Sequence, residues 1–366
     1  MNVHRVLQVR QADPLGSFRS FLTAWWSALD WQAILAPIDL ADQSSVAPQP
    51  IDQADRLAAV NPFTPIMVGN AAALVEPFAR DRAGQRLAVI LRPCELRTLI
   101  ELRKRRRAPA VDAALRNHTL TVIGVDCVAT YSAEDYAARR REYGAEAVTR
   151  EALLVAGDAA RTPCDLRAAC QVCDWPAPRG ADVTIGVIGV APEQVLLVIA
   201  RDAATDDRLR LSAVTAGLAT EHQVAQREAA VGDLIGQRAA TRAGQLGAAA
   251  GNLMGLARLL SWVSNCTLCG DCLDACPLYN GELAGLLGVG GPHRGTCGAP
   301  LADFVEMARW LTSCSGCGMC EAACEHQVPV GGLASALSYG LRGGLPQYVA
   351  GDPDRPLPWG GAERGR

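Results

Sequence analysis

Lysine is almost missing from this chain. Lys104 is the single lysine among 366 residues, and no Gly-x4-Gly-Lys loop exists to cradle a nucleotide phosphate, which excludes a nucleotide hydrolase. No Gly-x-Gly-x-x-Gly opens a helix after a strand. The nearest run, Gly288 to Gly291, lies in a loop, so a nicotinamide site of Rossmann type is not indicated. Excess positive charge is also lacking. The 35 Lys+Arg face 38 Asp+Glu for a net charge of −3, so nucleic acid is not an expected partner. Apolar runs of the roughly 18 to 20 residues needed to cross a bilayer are absent, which excludes a helical membrane span. Met1 to Ser20 carries charges and Pro14 where a signal peptide has its apolar centre, and the expected location is cytoplasmic. His4, His118, His222, His293 and His326 form no Ser/His/Asp spacing, which leaves hydrolytic catalysis without a constellation.

Cysteine, by contrast, is abundant. There are 14, nine of them between positions 266 and 324, and a reducing compartment turns such thiols toward metal binding or redox chemistry. Cys266-x2-Cys269-x2-Cys272-x3-Cys276-Pro277 has the spacing of the bacterial ferredoxin run. There, three close thiolates hold one cubane and the fourth reaches across to a second. The required second run is present as Cys314-x2-Cys317-x2-Cys320-x3-Cys324. Crossed ligation predicts Cys266, Cys269, Cys272 and Cys324 on one [4Fe–4S] cluster, and Cys314, Cys317, Cys320 and Cys276 on another. Gly270, Gly316 and Gly318 suit loops that wrap tightly and turn backbone N–H groups toward sulfur. Structural zinc is the alternative, but zinc takes four thiolates in two pairs and has no use for a third Cys at the next x2 step. The 37 residues between Cys276 and Cys314 include Leu301 to Leu311, with Leu301, Phe304, Val305, Ala308 and Leu311 on one helical face. From about Trp262 to Arg342 the chain resembles the helical two-cluster ferredoxin module of fumarate reductase and heterodisulfide reductase iron–sulfur subunits.

Upstream, Arg86 to Leu91 is a strand-length apolar run ending in Arg92-Pro93-Cys94-Glu95, with a helix started by the proline. Leu120 to Val125 delivers Asp126 and Cys127 in the same way, and Cys170-x2-Cys173 precedes a third β-rich run from Asp182 to Gly189. Sites assemble at strand ends in open α/β sheets, so these four thiolates would meet and hold a third cubane. Arg92-Pro-Cys-Glu-Leu-Arg97, Gly124-Val-Asp-Cys127, Cys170-Gln-Val-Cys173 and Ala181-Asp-Val-Thr-Ile-Gly186 resemble the beta-subunit family of coenzyme F420-reducing hydrogenase and formate dehydrogenase, over roughly Ala58 to Arg201. The resemblance implies an FAD-carrying subunit that passes electrons between iron–sulfur clusters and the deazaflavin coenzyme. It also implies Cys94, Cys127, Cys170 and Cys173 as ligands of a [4Fe–4S] cluster. The family's Gly-Gly-x-x-Thr-Ala-type flavin turn has its nearest equivalent at Gly69 to Leu74. The expected flavin contacts are Gly69, Asn70, Arg92, Glu95 and Asp126; Glu95 and Asp126 either pass a proton to the flavin or cap their turns.

Cys164 and Cys297 are left over and read as plain thiols. Arg103 to Arg107 would dock an acidic partner, grip a flavin or deazaflavin phosphate, or form a solvated helix end. His326 would tune the adjacent cluster or lie in an exposed loop.

The fold expected is an α/β N-terminal domain followed by a mainly α-helical dicluster ferredoxin domain. Its parts are a helical and extended segment at 1–57, with a helix over Ser20 to Ala36 and a polar connection over Ala41 to Asp55; the α/β domain at 58–213, with a helix at Ala133 to Tyr143; a helical connector at 214–263 with breaks near Gly232 and Gly251; the ferredoxin domain at 264–342; and a loosely ordered tail at 343–366. The expected role is the beta, electron-transfer, subunit of an oxidoreductase complex. Its partner would be the catalytic subunit of a hydrogenase, a formate dehydrogenase or a heterodisulfide-reductase-type complex, and its carrier coenzyme F420 or ferredoxin. The competing expectations are a flavin-free ferredoxin-like relay and a zinc-bound structural or assembly protein.

Overall fold

The computed structural model describes residues 1–40, 45–158, 166–250, 264–267, 269–279, 310–328, 330–331 and 348–358, with the side chains of 245–250 excepted. Cys164, Cys297, Gly251, the Gly288–Gly291 run, His293 and most of the Leu301 to Leu311 helix lie outside the described residues.

Eight strands form one mixed sheet: β1 (Val3–Gln8), β2 (Ala33–Asp39), β3 (Val46–Ile51), β4 (Leu87–Leu91), β5 (Leu120–Val125), β6 (Val183–Gly186), β7 (Val195–Ala200) and β8 (Gly217–Leu218), in the order β3-β2-β4-β5-β6-β7-β1-β8. The centre from β2 to β6 is parallel and the flanking pairs are antiparallel. Side chains alternate across the pleat. Ile34, Ala36, Ala88, Ile90, Ile123 and Val125 pack on one face beneath α1 (Pro14–Leu29), whose Phe18, Phe21, Leu22 and Trp25 are buried there. Leu35, Leu87, Val89, Leu91, Leu120 and Val122 pack on the other, beneath α2 (Ala72–Asp81), α3 (Pro93–Lys104) and α4 (Pro109–Arg116). Helices on both faces explain why β4 and β5 read as continuous apolar runs rather than alternating ones.

The segment 1–57, expected to precede the α/β domain, supplies β1, β2 and β3 of the sheet itself. β1 is held between β7 and β8, and β2 lies parallel to β4. The polar stretch from Ala41 to Asp55 contains β3, an edge strand with Pro48 and Pro50, which an edge tolerates because one row of its N–H groups faces away from the ladder. Helix α1 begins at Pro14, earlier than the Trp-rich stretch suggests. Asp13 caps it by accepting from the Gly16 N–H, and Asp30 ends it in the left-handed region.

Two further helices follow β5, α5 (Ala133–Tyr143) and α6 (Ala145–Gly157), then the single turn α7 (Ala168–Gln171). The short helices α8 (Ala203–Arg208) and α9 (Leu211–Val214) lead into α10 (Glu221–Ala250). α10 runs through Gly232 without a break; nothing lies within 4 Å of where its Cβ would be, and one such glycine costs a helix only about 1 kcal/mol. Residues 348–358 are not a loose tail. Tyr348, Ala350 and Leu357 are buried, and Glu101 on α3 accepts from the Tyr348 hydroxyl at 2.6 Å and from the Gly351 N–H at 2.8 Å.

Candidate redox centre

Pro93 and Cys94 are the first two residues of α3, and Glu95 reaches back to accept from the Arg92 N–H at 2.8 Å. The proline fixes the first turn and the carboxylate caps it, which pins Cys94 at the carboxyl end of β4. Cys127 leaves the end of β5, where its N–H donates to the Pro176 carbonyl at 2.8 Å, so the chain beyond Cys173 folds back over β5. Loop 127–131 also binds the Cys170 segment. The Arg167 N–H donates to the Thr130 carbonyl at 3.0 Å, and the Thr130 hydroxyl lies 3.2 Å from Cys170 Sγ.

The sulfurs fall into three neighbourhoods. Burial pushes the Cys94 thiol well up, followed by the charges of Glu95, Cys127, Cys317 and Cys173. Cys127 is pushed up to about 11, first by burial and then by Cys170, with Arg238 and Arg92 opposing; Cys173 is raised by burial, with Arg97 and Arg238 opposing and Cys170 adding. In the C-terminal part, burial raises Cys272, and Cys266, Cys269 and Cys324 raise it further. Burial pushes Cys276 up to about 12, its neighbours being the Trp310 indole, Cys317 and Cys314; Cys320 is raised by burial, then by Cys314, Cys317 and Cys276. A thiol raised by burial and by other thiols cannot carry its negative charge unless a cation compensates it.

Cys276 sits with Cys314, Cys317 and Cys320 from the other run, and these four line one cavity together with Pro277, Trp310, Ser315 and the glycines 316, 318 and 331. Gly270, Gly316 and Gly318 all hold φ between +68° and +96°, the left-handed turns that let such loops wrap. The Gly316 N–H points to Cys314 Sγ at 3.4 Å, and Trp310 Nε1 donates to Cys276 Sγ at 3.3 Å. Cys266 and Cys269 are exposed, the other ten described cysteines half-buried. Among the described residues, no three His, Cys, Asp or Glu side chains are grouped so as to hold a single metal ion.

The first and third neighbourhoods touch. A Cβ on Gly318 would stand 2.5 Å from Ala169 Cβ, so the Cys317 loop lies directly against α7. Arg167 Nη2 donates to the Cys317 carbonyl at 3.2 Å and its Nε to Thr130 Oγ1 at 2.8 Å. The basic block after α3 is no solvated helix end: Arg105 donates to Ser313 Oγ at 2.8 Å and Arg107 to the Leu278 carbonyl at 3.1 Å, tying the two cysteine regions together. His326 is exposed.

The expected flavin contacts are occupied by the chain itself. Asn70 donates to Thr98 Oγ1 and accepts from the Ala72 N–H; Glu95 accepts from the Ala71 and Arg92 N–H groups; Arg92 donates to the Ile66 and Thr64 carbonyls. Asp126 is buried and accepts from the N–H groups of Val187 and Ile188 and from both Nη atoms of Arg227. Gly69 has open space where a Cβ would be. These are capping and bracing roles.

Residues 84–226 match the family model for the C-terminal part of the coenzyme F420 hydrogenase/dehydrogenase beta subunit. Over this segment the chain is similar to that beta-subunit family. The segment holds Cys94, Cys127, Cys170 and Cys173 and leaves the two ferredoxin-spaced runs outside. The matched segment begins just before β4 and ends within α10, so the match spans the part of the sheet that presents the first thiol group. Among solved structures, the chain is similar to a chain of the F420-reducing [NiFe] hydrogenase complex from Methanosarcina barkeri, with 8% identity and a TM-score of 0.45, covering 66% of this chain and 90% of that one. No curated protein matches the sequence.

What sequence reasoning missed is the arginine set. Arg227, Arg238 and Arg242 recur at helical spacing along one side of α10 and reach Asp126, the Cys173 carbonyl, and the Val172 carbonyl with Asp174. The spacing was a signal, but its targets lie 65 to 101 residues away in the chain.

Proposed function

We propose that the chain is the iron–sulfur electron-transfer subunit of an oxidoreductase complex of the F420-reducing hydrogenase or dehydrogenase type. Cys266, Cys269, Cys272 and Cys324 would hold one [4Fe–4S] cluster, Cys276, Cys314, Cys317 and Cys320 a second, and Cys94, Cys127, Cys170 and Cys173 a third. The observation that carries this reading is the cavity in which Cys276 from one run joins three cysteines of the other. Crossed partnership of this kind is what a pair of linked cubanes requires. The residues fit such a group in a further way. Arg167 Nη1 and Arg238 Nε are buried donors without a partner, and both arginines flank the Cys94 group, where an anionic cluster offers acceptors.

A bound cubane supplies one-electron storage, and the chain supplies position. Thiolates fix the clusters, Gly316 and Trp310 direct N–H groups at sulfur, and the Gly318–Ala169 contact brings two of the groups against each other. Substrate chemistry would fall to a catalytic partner, with coenzyme F420 or a ferredoxin as the carrier. Of the two redox readings, a relay without flavin is favoured, because the polar atoms of Asn70, Arg92, Glu95 and Asp126 are already engaged.

Metal, sulfide and flavin analysis of one anaerobically purified sample tests the proposal. Three cubanes give about twelve irons per chain. About eight would leave only the ferredoxin-spaced runs as ligands, and stoichiometric zinc in a colourless protein would replace electron transfer with a structural role.

A further inference from the structure

We propose that Arg167 and Arg238 are positioning residues that set the Cys94/Cys127/Cys170/Cys173 cluster at a higher reduction potential than the adjacent Cys276/Cys314/Cys317/Cys320 cluster, so that an electron comes to rest on the former. This rests on the three-cluster reading above.

Four guanidiniums stand around the first thiol group. Arg92 and Arg238 act on Cys127, Arg97 and Arg238 on Cys173, and Arg167 first on Cys170 and Cys94 and then on Cys317 of the neighbouring group. Arg92 and Arg97 are committed to carbonyl oxygens, of Ile66 and Thr64 and of Ala350 respectively. Arg167 and Arg238 are not fully committed. Arg167 holds Thr130 Oγ1 and the Cys317 carbonyl with Nε and Nη2, leaving Nη1 buried and unpaired. Arg238 makes one long bond, 3.4 Å, to the Cys173 carbonyl, leaving Nε buried and unpaired. A buried donor without an acceptor is costly to leave unmade, and a sulfur acceptor at this place would satisfy it.

The neighbouring group is built differently. The leading influences on Cys276 and Cys320 after burial are the Trp310 indole, other thiols and the acidic Glu321. Both groups are half-buried, so exposure does not separate them; the number of guanidiniums does, four acting on the first group and Arg167 also on Cys317 of the second. Reduction adds one electron and one negative charge to a thiolate-bound cubane. Nearby charge and hydrogen bonds to sulfur are among the factors that set the potential. Guanidinium keeps its charge at every working pH, so the preference does not vary with pH as a lysine- or histidine-based one would. Arg167 also touches both groups, through Cys170 on one side and the Cys317 carbonyl on the other.

The test is a potentiometric titration of the purified holoprotein followed by EPR, for the wild type and for Arg167→Met, Arg238→Met and Arg167→Lys. Each Met variant is expected to make reduction of the Cys94-group cluster about tenfold less favourable, a drop of about 59 mV for a one-electron couple. The cluster of the Cys276 group should move less, and Arg167→Lys should restore most of the loss near neutral pH. Iron content of each variant shows whether all clusters are retained. If a Met variant loses a cluster, the Arg238→Lys and Arg167→Lys pair, measured across pH, carries the test through the pH dependence lysine introduces. Midpoints unchanged in the Met variants, or a wild-type order with the Cys276-group cluster higher, would overturn the proposal. A wild type with about eight irons would instead remove the three-cluster reading beneath it.

Discussion

Arg227→Met should destabilise the α/β unit more than a typical surface change, because it strands a buried charge. Asp126 is 1% exposed and Arg227 6%, and both guanidinium Nη atoms donate to the carboxylate, Nη2 at 2.7 Å. Removing one partner of a buried pair costs about 3–5 kcal/mol. Asp126 would still accept from the Val187 and Ile188 N–H groups at 2.8 and 3.0 Å, which places the expected loss at the lower end, about 3 kcal/mol. Arg227→Lys keeps the charge but gives up the two-pronged geometry, for an expected loss of about 1.5 kcal/mol. Urea unfolding followed by far-UV circular dichroism reads both, as shifts in midpoint at constant slope. The pair also joins the residue before Cys127 to α10, so the visible absorbance of bound clusters should bleach earlier in Arg227→Met than in the wild type. A Met variant within about 1 kcal/mol of wild type, or one no worse than the Lys variant, would refute the reasoning.

Further predictions concern other joints. Glu101 is fully buried and accepts from Tyr348, Gly351 and Lys104, so Glu101→Gln should loosen residues 348–358, read as faster amide hydrogen exchange at Gly351. Gly318→Ala meets Ala169 Cβ at 2.5 Å in a backbone with φ +69°; it should cost about 1–3 kcal/mol and slow electron exchange between the two adjoining clusters, measured by rapid-freeze EPR. Burial, and then Arg227, lowers the pKa of His4, so the folded state binds its proton less readily than the unfolded chain. Stability should therefore be full above the ordinary imidazole value of about 6.5 and fall as the pH drops through it toward the depressed folded value. His4→Gln should flatten that slope in unfolding curves taken across the range.

The central strands were legible because each rests on local sequence. β4 and β5 are apolar runs with fixed ends, α3 starts where Pro93 and Glu95 dictate, and α5 ends at Gly144, where φ is +85°. The outer sheet was not legible. β1 mixes polar and apolar residues and is half-buried along its first four positions, and its place between β7 and β8 depends on pairing with residues nearly 200 positions away. Gly232 read as a break, but an exposed helical glycine costs too little to stop α10. The docking of residues 348–358 hinges on Glu101, which looks in sequence like any charged helix residue. Arg97, Arg167, Arg227 and Arg238 were hidden for the same reason: their function is fixed by long-range contacts. In a chain with a single lysine, the choice of arginine at each of them fits groups that must hold a charge while partly removed from water.

Cys94, Cys127, Cys170 and Cys173 should form a cluster site of their own, separate from the two crossed runs. Iron per chain, measured side by side for wild type and Cys94→Ser after anaerobic purification, tests it most directly. The account predicts about twelve irons in the wild type and about eight in the variant, with the EPR signals of the other two clusters unchanged. Equal iron in the two proteins, or loss of signal from the Cys276 group instead, would contradict it.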